Sequence, residues 1–319
     1  MPILYCFEEK ETTMKIAIIG RTEVLYDTAL LLHETGNDIV CILTAKEAKE
    51  YTCTAQDFHT LADKWQVSFA QGSKIIEFTD FLRDSRADIG VSINYTGVIP
   101  QSVIDIFPFG ILNAHGGDLP RYRGNACQAW AILNGDDRIG LCIHRMIGGE
   151  LDSGDILARD YLSIDHSTKV TQVWHWMTMR TPALILESVE RLARDPGYIL
   201  ERQSQDTKDA LRCYPRLPED GRIDWGKTAI DVLRLINASN KPYAGAFCNF
   251  DGDKMIIWDA KIVEKVENFC AVPGQVTTIG EGFIDVACGS GKLRIQTVEY
   301  KGEVVSACEM IHSIRHRLY

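Results

Sequence analysis

The chain has 319 residues, is 45% hydrophobic and 24% charged, and carries a net charge of -10 from 34 basic and 44 acidic side chains. At about 100–200 residues per domain this leaves room for two domains, and the ordinary composition excludes disorder and collagen-like repeats. No apolar run reaches the roughly 18–20 residues of a membrane span, and the acidic balance argues against nucleic acid as a partner, because phosphates are neutralised by Lys and Arg.

The charge has no basic half to offer a polyanion. Residues 201–319 hold 16 basic and 17 acidic side chains, and residues 1–200 hold 18 and 27. Residues 1–13 begin apolar and then run Glu8, Glu9, Lys10, Glu11. That is the reverse order of a secretory signal, so they are expected to be an N-terminal extension. The ten cysteines are scattered, with no C-x-x-C pair. Structural zinc is therefore not expected, and the chain reads as a reduced, cytoplasmic protein.

In chain order, KIAIIG (15–20) reads as a buried strand and turn, 23–35 as a helix, and DIVCILTA (38–45) as a second buried strand. Helices at 59–66 and 78–86 flank a short strand at 67–70, and IGVSIN (89–94) is the next strand. A short helix at 101–107 precedes a strand at 111–115, followed by a helix at 125–134 and a strand at 139–147. A loop rich in Gly and Asp then leads into the strand that ends near 164. Val170, Val173, Trp174, Met177, Leu184, Ile185, Val189 and Leu192 recur at helical spacing, predicting a long helix over 168–195 with that stripe packed on the sheet. Alternation of apolar strands with helices predicts an α/β, Rossmann-like, doubly wound and mainly parallel sheet. After a helix at 229–239, short strands and turns from Gly245 on predict a smaller, mostly β, barrel-like C-terminal domain. The expected units are thus 1–13, 14–205 and 206–319.

The first strand and turn lack G-x-G-x-x-G, with only Gly20 present, so NAD is not expected. His312 and His316 share a helical spacing but have no third ligand nearby in sequence, so no metal is expected there. His144 lies inside a strand and reads as a satisfied core or face residue. The informative segment is ILNAHGGDLPRYRGN (111–125). Asn113 and His115 sit two apart on a strand, so their side chains share one face. They lie at the strand's C-terminal end, where open α/β sheets bind ligands. An amide donor beside a base that titrates near neutrality suits addition to a carbonyl. The same residues would also serve as a plain turn after a strand. Asp152 follows 37 residues after His115 in a Gly-flanked loop. A carboxylate there could orient an imidazole and stabilise its charged form, or simply make an Asx turn.

Taken together, the two segments resemble the N10-formyltetrahydrofolate-dependent formyltransferases. That family carries an Asn-x-His strand end, an H-x-x-x-L-P-x-x-x-G turn and a D-x-G-D loop. Here these are Asn113-Ala114-His115, HGGDLPRYRG (115–124) and Asp152-Ser153-Gly154-Asp155. SINYTGVIP (92–100), LPEDGRIDW (217–225), INASNKPYAGAF (236–247) and MIIWDAKIV (255–263) extend the resemblance over nearly all of 14–300. The family's H-G-S-L-L-P reads His115-Gly116-Gly117-Asp118-Leu119-Pro120 here, so Gly117 replaces a Ser and Asp118 a Leu.

The resemblance implies N10-formyltetrahydrofolate as co-substrate, with neither metal nor NAD. It implies catalysis by Asn113, His115 and Asp152. The folate pocket is expected at Asn94, Gly97, Val98, Ile99, Ile147 and Asp152. RYRGN with EDGRIDW looks like the branch that formylates the amine of a nucleotide-linked amino sugar. On that reading Arg121, Tyr122, Arg123, Asn125 and Trp225 contact the acceptor, with the arginines on a diphosphate; the same arginines could instead only brace the turn. Methionyl-tRNA formylation and formyltetrahydrofolate hydrolysis are the alternatives that share these residues. The C-terminal unit is expected to shape the acceptor end and to offer a homodimer surface.

Overall fold

The structure, a computed structural model, is described over residues 13–48, 51–264 and 267–319. All of the expected extension but its last residue therefore lies outside the described residues. The first unit runs β1 (Lys15–Gly20), α1 (Glu23–Glu34), β2 (Asp38–Thr44), α2 (Ala55–Trp65), β3 (Ser68–Gln71), α3 (Thr79–Asp84), β4 (Ile89–Ile93) and α4 (Gln101–Ile104). It continues through β5 (Ile111–His115), β6 (Tyr122–Gly124), α5 (Cys127–Asn134), β7 (Arg138–Arg145), β8 (Ile156–Ser163) and α6 (Val170–Arg194).

Seven of these strands form one sheet in the order β3-β2-β1-β4-β5-β7-β8. The first five are parallel, and β7 and β8 add antiparallel. Residues of β1 alternate between the two faces. Ile16 and Ile18 pack with α1, α2 and α6, while Ala17 and Ile19 pack with α3 and α4. A strand buried on both faces must be apolar throughout, which is why 15–20 reads as one run. Helices on both faces make the sheet doubly wound. The order reverses between β1 and β4, so the carboxyl ends of β1, β4 and β5 open a crevice on one edge of the sheet.

The second region begins with β9 (Leu211–Cys213) and α7 (Ala229–Ala238). Strands β10 (Ala246–Phe250), β11 (Asp253–Ile262), β12 (Val276–Gly280), β13 (Phe283–Ala287), β14 (Lys292–Tyr300) and β15 (Glu303–Ser306) follow, then α8 (Ala307–Met310). The six strands β10–β15 form an antiparallel sheet around their own core. Residues 316–319 join its edges: the Val276 N–H donates to His316 O, and Asn249 and Tyr319 exchange backbone hydrogen bonds. Joining the edges covers backbone groups that an open sheet leaves unpaired, as the barrel-like expectation requires.

Three local features depart from the sequence pattern. The helix expected from 59 starts at Ala55, because Thr54 and Asp57 make a reciprocal capping box. The helix expected over 78–86 is split into a 3-10 turn at Ile75–Phe78 and α3. Strand β6 pairs in parallel with β9, three residues with three, although the two lie far apart in sequence. That ladder fastens the segment after α6 beside the crevice.

Candidate active site

A cleft of 360 Å³ opens where β1, β4 and β5 end, and Asn113, His115 and Asp152 all line it. That size suits a small-molecule site. Asn113 and His115 share a face of β5, as expected. The antiparallel register sets Asn113 opposite His144 of β7. His144 therefore stands in the same cluster rather than in the packed core. Its Nε2 lies 3.2 Å from Asn113 Nδ2 and 3.5 Å from Asp152 Oδ1.

His115 is buried, and its Nε2 donates to the Tyr122 backbone carbonyl at 2.7 Å. A carbonyl can only accept, so this bond sets the tautomer and leaves Nδ1 as the nitrogen free to take a proton. Asp152 Oδ2 stands 3.5 Å from Nδ1. Tyr122 O thus holds the ring at Nε2, and the Asp152 carboxylate faces it at Nδ1, the nitrogen that would gain charge. Burial pushes the His115 pKa down from 6.5 while Asp152 pulls it back up, and the net shift is downward. For Asp152, burial pushes upward, while His115 and the Gly124 N–H pull the carboxyl well below its usual range. The site therefore keeps a neutral base beside a fixed negative charge.

Asp152 occupies left-handed backbone at φ 48, which costs a non-glycine residue energy and needs support. The support comes from two directions. Gly124 N–H donates to Asp152 Oδ2 at 2.9 Å, and Gln203 Nε2 donates to the Asp152 carbonyl at 2.9 Å. Gln203 also holds Gly154 O at 2.6 Å and accepts from Arg123 Nη2 at 3.0 Å. Gly154 is required where it stands, since a Cβ would lie 1.9 Å from Arg145 O. No spacing or composition signal marks Gln203, which lies in the irregular segment after α6.

The remaining expected residues divide. Asn94, Gly97, Ile99 and Asn125 line the cleft. Val98 and Ile147 do not; Val98 is 79% exposed, and Met146 and Leu151 stand in the wall instead. Trp225 is 4% exposed inside the second core, so it cannot touch a ligand. The Tyr122 side chain is also buried, bonded to Asp136 and Asn134, and only its backbone reaches the site. Arg121 pairs with Asp136 over the Tyr122 ring, and Arg123 is committed to Gln203 and Ser204 O. Both arginines thus have partners of their own around the turn, with the Arg121 side chain still half exposed. Asp118, in place of an apolar residue, pairs with Arg138 at 3.0 Å and Arg159 at 2.6 Å. Trp174 and Met177, expected as sheet packing, line the cleft, as does Tyr243.

Two histidines and a carboxylate meet here, yet each ring has a nitrogen on a backbone carbonyl. Among the described residues no group of three or more His, Cys, Asp or Glu side chains is set to hold a metal ion. Also among the described residues, no helix is long and apolar enough to cross a membrane. Seven of the nine described cysteines are buried, and all nine are free thiols.

Comparison with known proteins gives a consistent family pattern. The family model described as formyl transferase matches residues 14–188, and that described as formyl transferase, C-terminal domain, matches 217–315. The methionyl-tRNA formyltransferase of Geobacter metallireducens is 28% identical over 296 residues, covering 91% of this chain and 92% of that protein. Its counterpart from Acetivibrio thermocellus is 28% identical over 90% of this chain and 92% of that one. Among solved structures, the N-formyltransferase from Helicobacter canadensis, in complex with folinic acid and dTDP-3-aminofucose, superposes with a TM-score of 0.67 at 13% identity, over 89% of this chain and 99% of that one. HypX from Aquifex aeolicus, in complex with tetrahydrofolic acid, superposes with a TM-score of 0.64 at 18% identity over 94% of this chain. This chain spans about half the length of HypX, 47% of it. At these identities the structural likeness shows the fold.

Proposed function

The chain belongs to the formyl transferase family, as a folate-dependent enzyme with N10-formyltetrahydrofolate as co-substrate, and we propose that the formyl group goes to the amino group of methionyl-tRNA. The observation that carries the acceptor is the end-to-end sequence similarity to curated methionyl-tRNA formyltransferases, which spans both units of the chain. A second reading is the amine of a nucleotide-linked amino sugar, the acceptor expected from the sequence. Its support is the charge, since a net -10 with no basic half suits a small acceptor better than a polyanion.

The cleft fits the co-substrate. Asn94 turns the chain at φ 52, and Gly97, Ile99, Met146 and Leu151 line the cleft beside it. Bound formyl-folate supplies an electrophilic formyl carbon. The chain's own residues then divide the work. Asn113 donates an amide N–H to the oxyanion that forms when the amine attacks. His115 Nδ1 takes the proton that the attacking nitrogen must lose, and Asp152 pairs with the resulting imidazolium. The imidazolium then returns that proton to the departing nitrogen, which resets the site. We assign this chemistry to residues 14–205. Residues 206–319 shape the acceptor end, to which Tyr243 contributes a cleft wall.

The test is an acceptor screen. The enzyme is incubated with N10-formyltetrahydrofolate and either methionyl-tRNA or a panel of nucleotide-linked amino sugars, and the product is read as a mass gain of one formyl group. Formylated methionyl-tRNA is the expected product. Formylation of sugars alone replaces the first reading with the second, and formate release without either acceptor overturns both in favour of hydrolysis.

A further inference from the structure

Asn113, His115 and Asp152 fill every role in the proposed reaction, and His144, a fourth polar side chain of the cluster and itself buried, has none. His144 is 2% exposed and lies directly across the strand pair from Asn113. Its Nδ1 is 2.9 Å from the Arg145 backbone carbonyl, which can only accept. Nδ1 therefore carries a proton, and in the neutral ring Nε2 holds the lone pair. The nearest polar atom to that lone pair is Asn113 Nδ2 at 3.2 Å, ahead of Asp152 Oδ1 at 3.5 Å. An amide has two N–H bonds and one oxygen, and which end faces which way decides what it offers a ligand. An acceptor at Nε2 selects the orientation in which one Asn113 N–H is held and the oxygen is turned away.

We propose that His144 is a positioning residue for formyl transfer: as the neutral Nδ1–H tautomer it accepts one N–H of Asn113, locks the amide, and leaves the second N–H as the oxyanion donor. The inference rests on Asn113 being that donor in the reaction proposed above. It explains why a polar ring is kept at a position where β7 is otherwise buried, Ile139 through Ile143 being fully covered or nearly so. It also separates the two histidines. His115 faces Asp152 through a nitrogen that can gain a proton, while His144 faces Asn113 through a nitrogen that must stay without one.

Two measurements test it, one of them independent of any acceptor. Long-range ¹H–¹⁵N NMR on histidine-labelled enzyme, with His144 assigned from its loss in His144→Gln, should show Nδ1 protonated and Nε2 unprotonated at neutral pH. A proton on Nε2, in either a neutral or a doubly protonated ring, overturns the proposal. In single-turnover transfer, His144→Leu should lower the rate constant about 10- to 100-fold, less than the ~10²–10³ for deleting a donor outright, with the folate affinity little changed. His144→Gln, which keeps an acceptor near the Nε2 position, should recover most of that loss. In the Asn113→Ala background, His144→Leu should cost less than about threefold, because residues that act as a unit are not additive. Equal losses in both backgrounds, or a Gln variant as slow as the Leu variant, would mean a merely structural histidine. If no acceptor is formylated, the functional reading fails, and the NMR result still decides the hydrogen bond.

Discussion

Gly124 joins backbone geometry to chemistry at one atom pair, so Gly124→Ala tests the construction of the site. Gly124 has φ 110, and its N–H donates to Asp152 Oδ2 at 2.9 Å. A Cβ would fall 2.4 Å from the Cys213 carbonyl oxygen, the acceptor of the Asn125 N–H. Backbone strain at such a φ costs about 1–3 kcal/mol. Relieving the overlap by moving β6 away from β9 costs about 1–3 kcal/mol more. The variant should thus lose roughly 2–6 kcal/mol in urea denaturation, the sum of those two terms. Gly149→Ala is the control, since Gly149 also has positive φ, at 78, but open space around it. It should lose only the strain, about 1–3 kcal/mol. The displaced Gly124 N–H also leaves Asp152 with one hydrogen bond fewer. A hydrogen bond to a charged group is worth about 1.5–3 kcal/mol, so single-turnover transfer should fall about 10- to 100-fold. A Gly124→Ala enzyme as stable and as fast as Gly149→Ala would refute the reasoning.

Three further outcomes follow from the same geometry. The acid limb of single-turnover transfer should have its midpoint below 6.5, because His115 works as a base only when neutral and its pKa is lowered; Asp152→Asn should slow transfer and move that midpoint lower still, since the carboxylate is what raises it. Gly117→Ala should slow transfer with modest loss of stability, since its Cβ would sit 2.6 Å from both His115 Nε2 and Tyr122 O, inside the bond that sets the tautomer; a pH–rate profile identical to wild type would contradict this. Gly97→Trp should raise the folate KM more than the acceptor KM, because Gly97 lines the cleft, and unchanged folate kinetics in a folded variant would place the folate elsewhere.

Much of this was legible in residue order, for physical reasons. Strands buried on both faces must be apolar, so 15–20, 38–44 and 89–93 announce themselves, and a two-residue spacing must put Asn113 and His115 on one face. Register between strands is not written locally. The antiparallel pairing that sets His144 against Asn113 depends on how β7 lies beside β5, so an isolated strand histidine carried no sign of it. Gln203 and the β6–β9 ladder were hidden for the same reason, since three-residue pairings leave no periodicity. Trp225 is the exception, because an indole reads as a ligand contact in sequence wherever it is buried. The arginines found carboxylate, amide and carbonyl partners of their own, and the indole was drawn into the second core.

His115 Nδ1 is the acceptor of the amine's proton in the proposed transfer. The most direct measurement is single-turnover formyl transfer by His115→Asn, with folding checked by circular dichroism and folate binding by titration. Loss of a positioned base predicts a rate about 10²–10⁴-fold below wild type with folate affinity retained. A folded, folate-binding His115→Asn enzyme within about tenfold of wild type, short of that loss, would contradict the account.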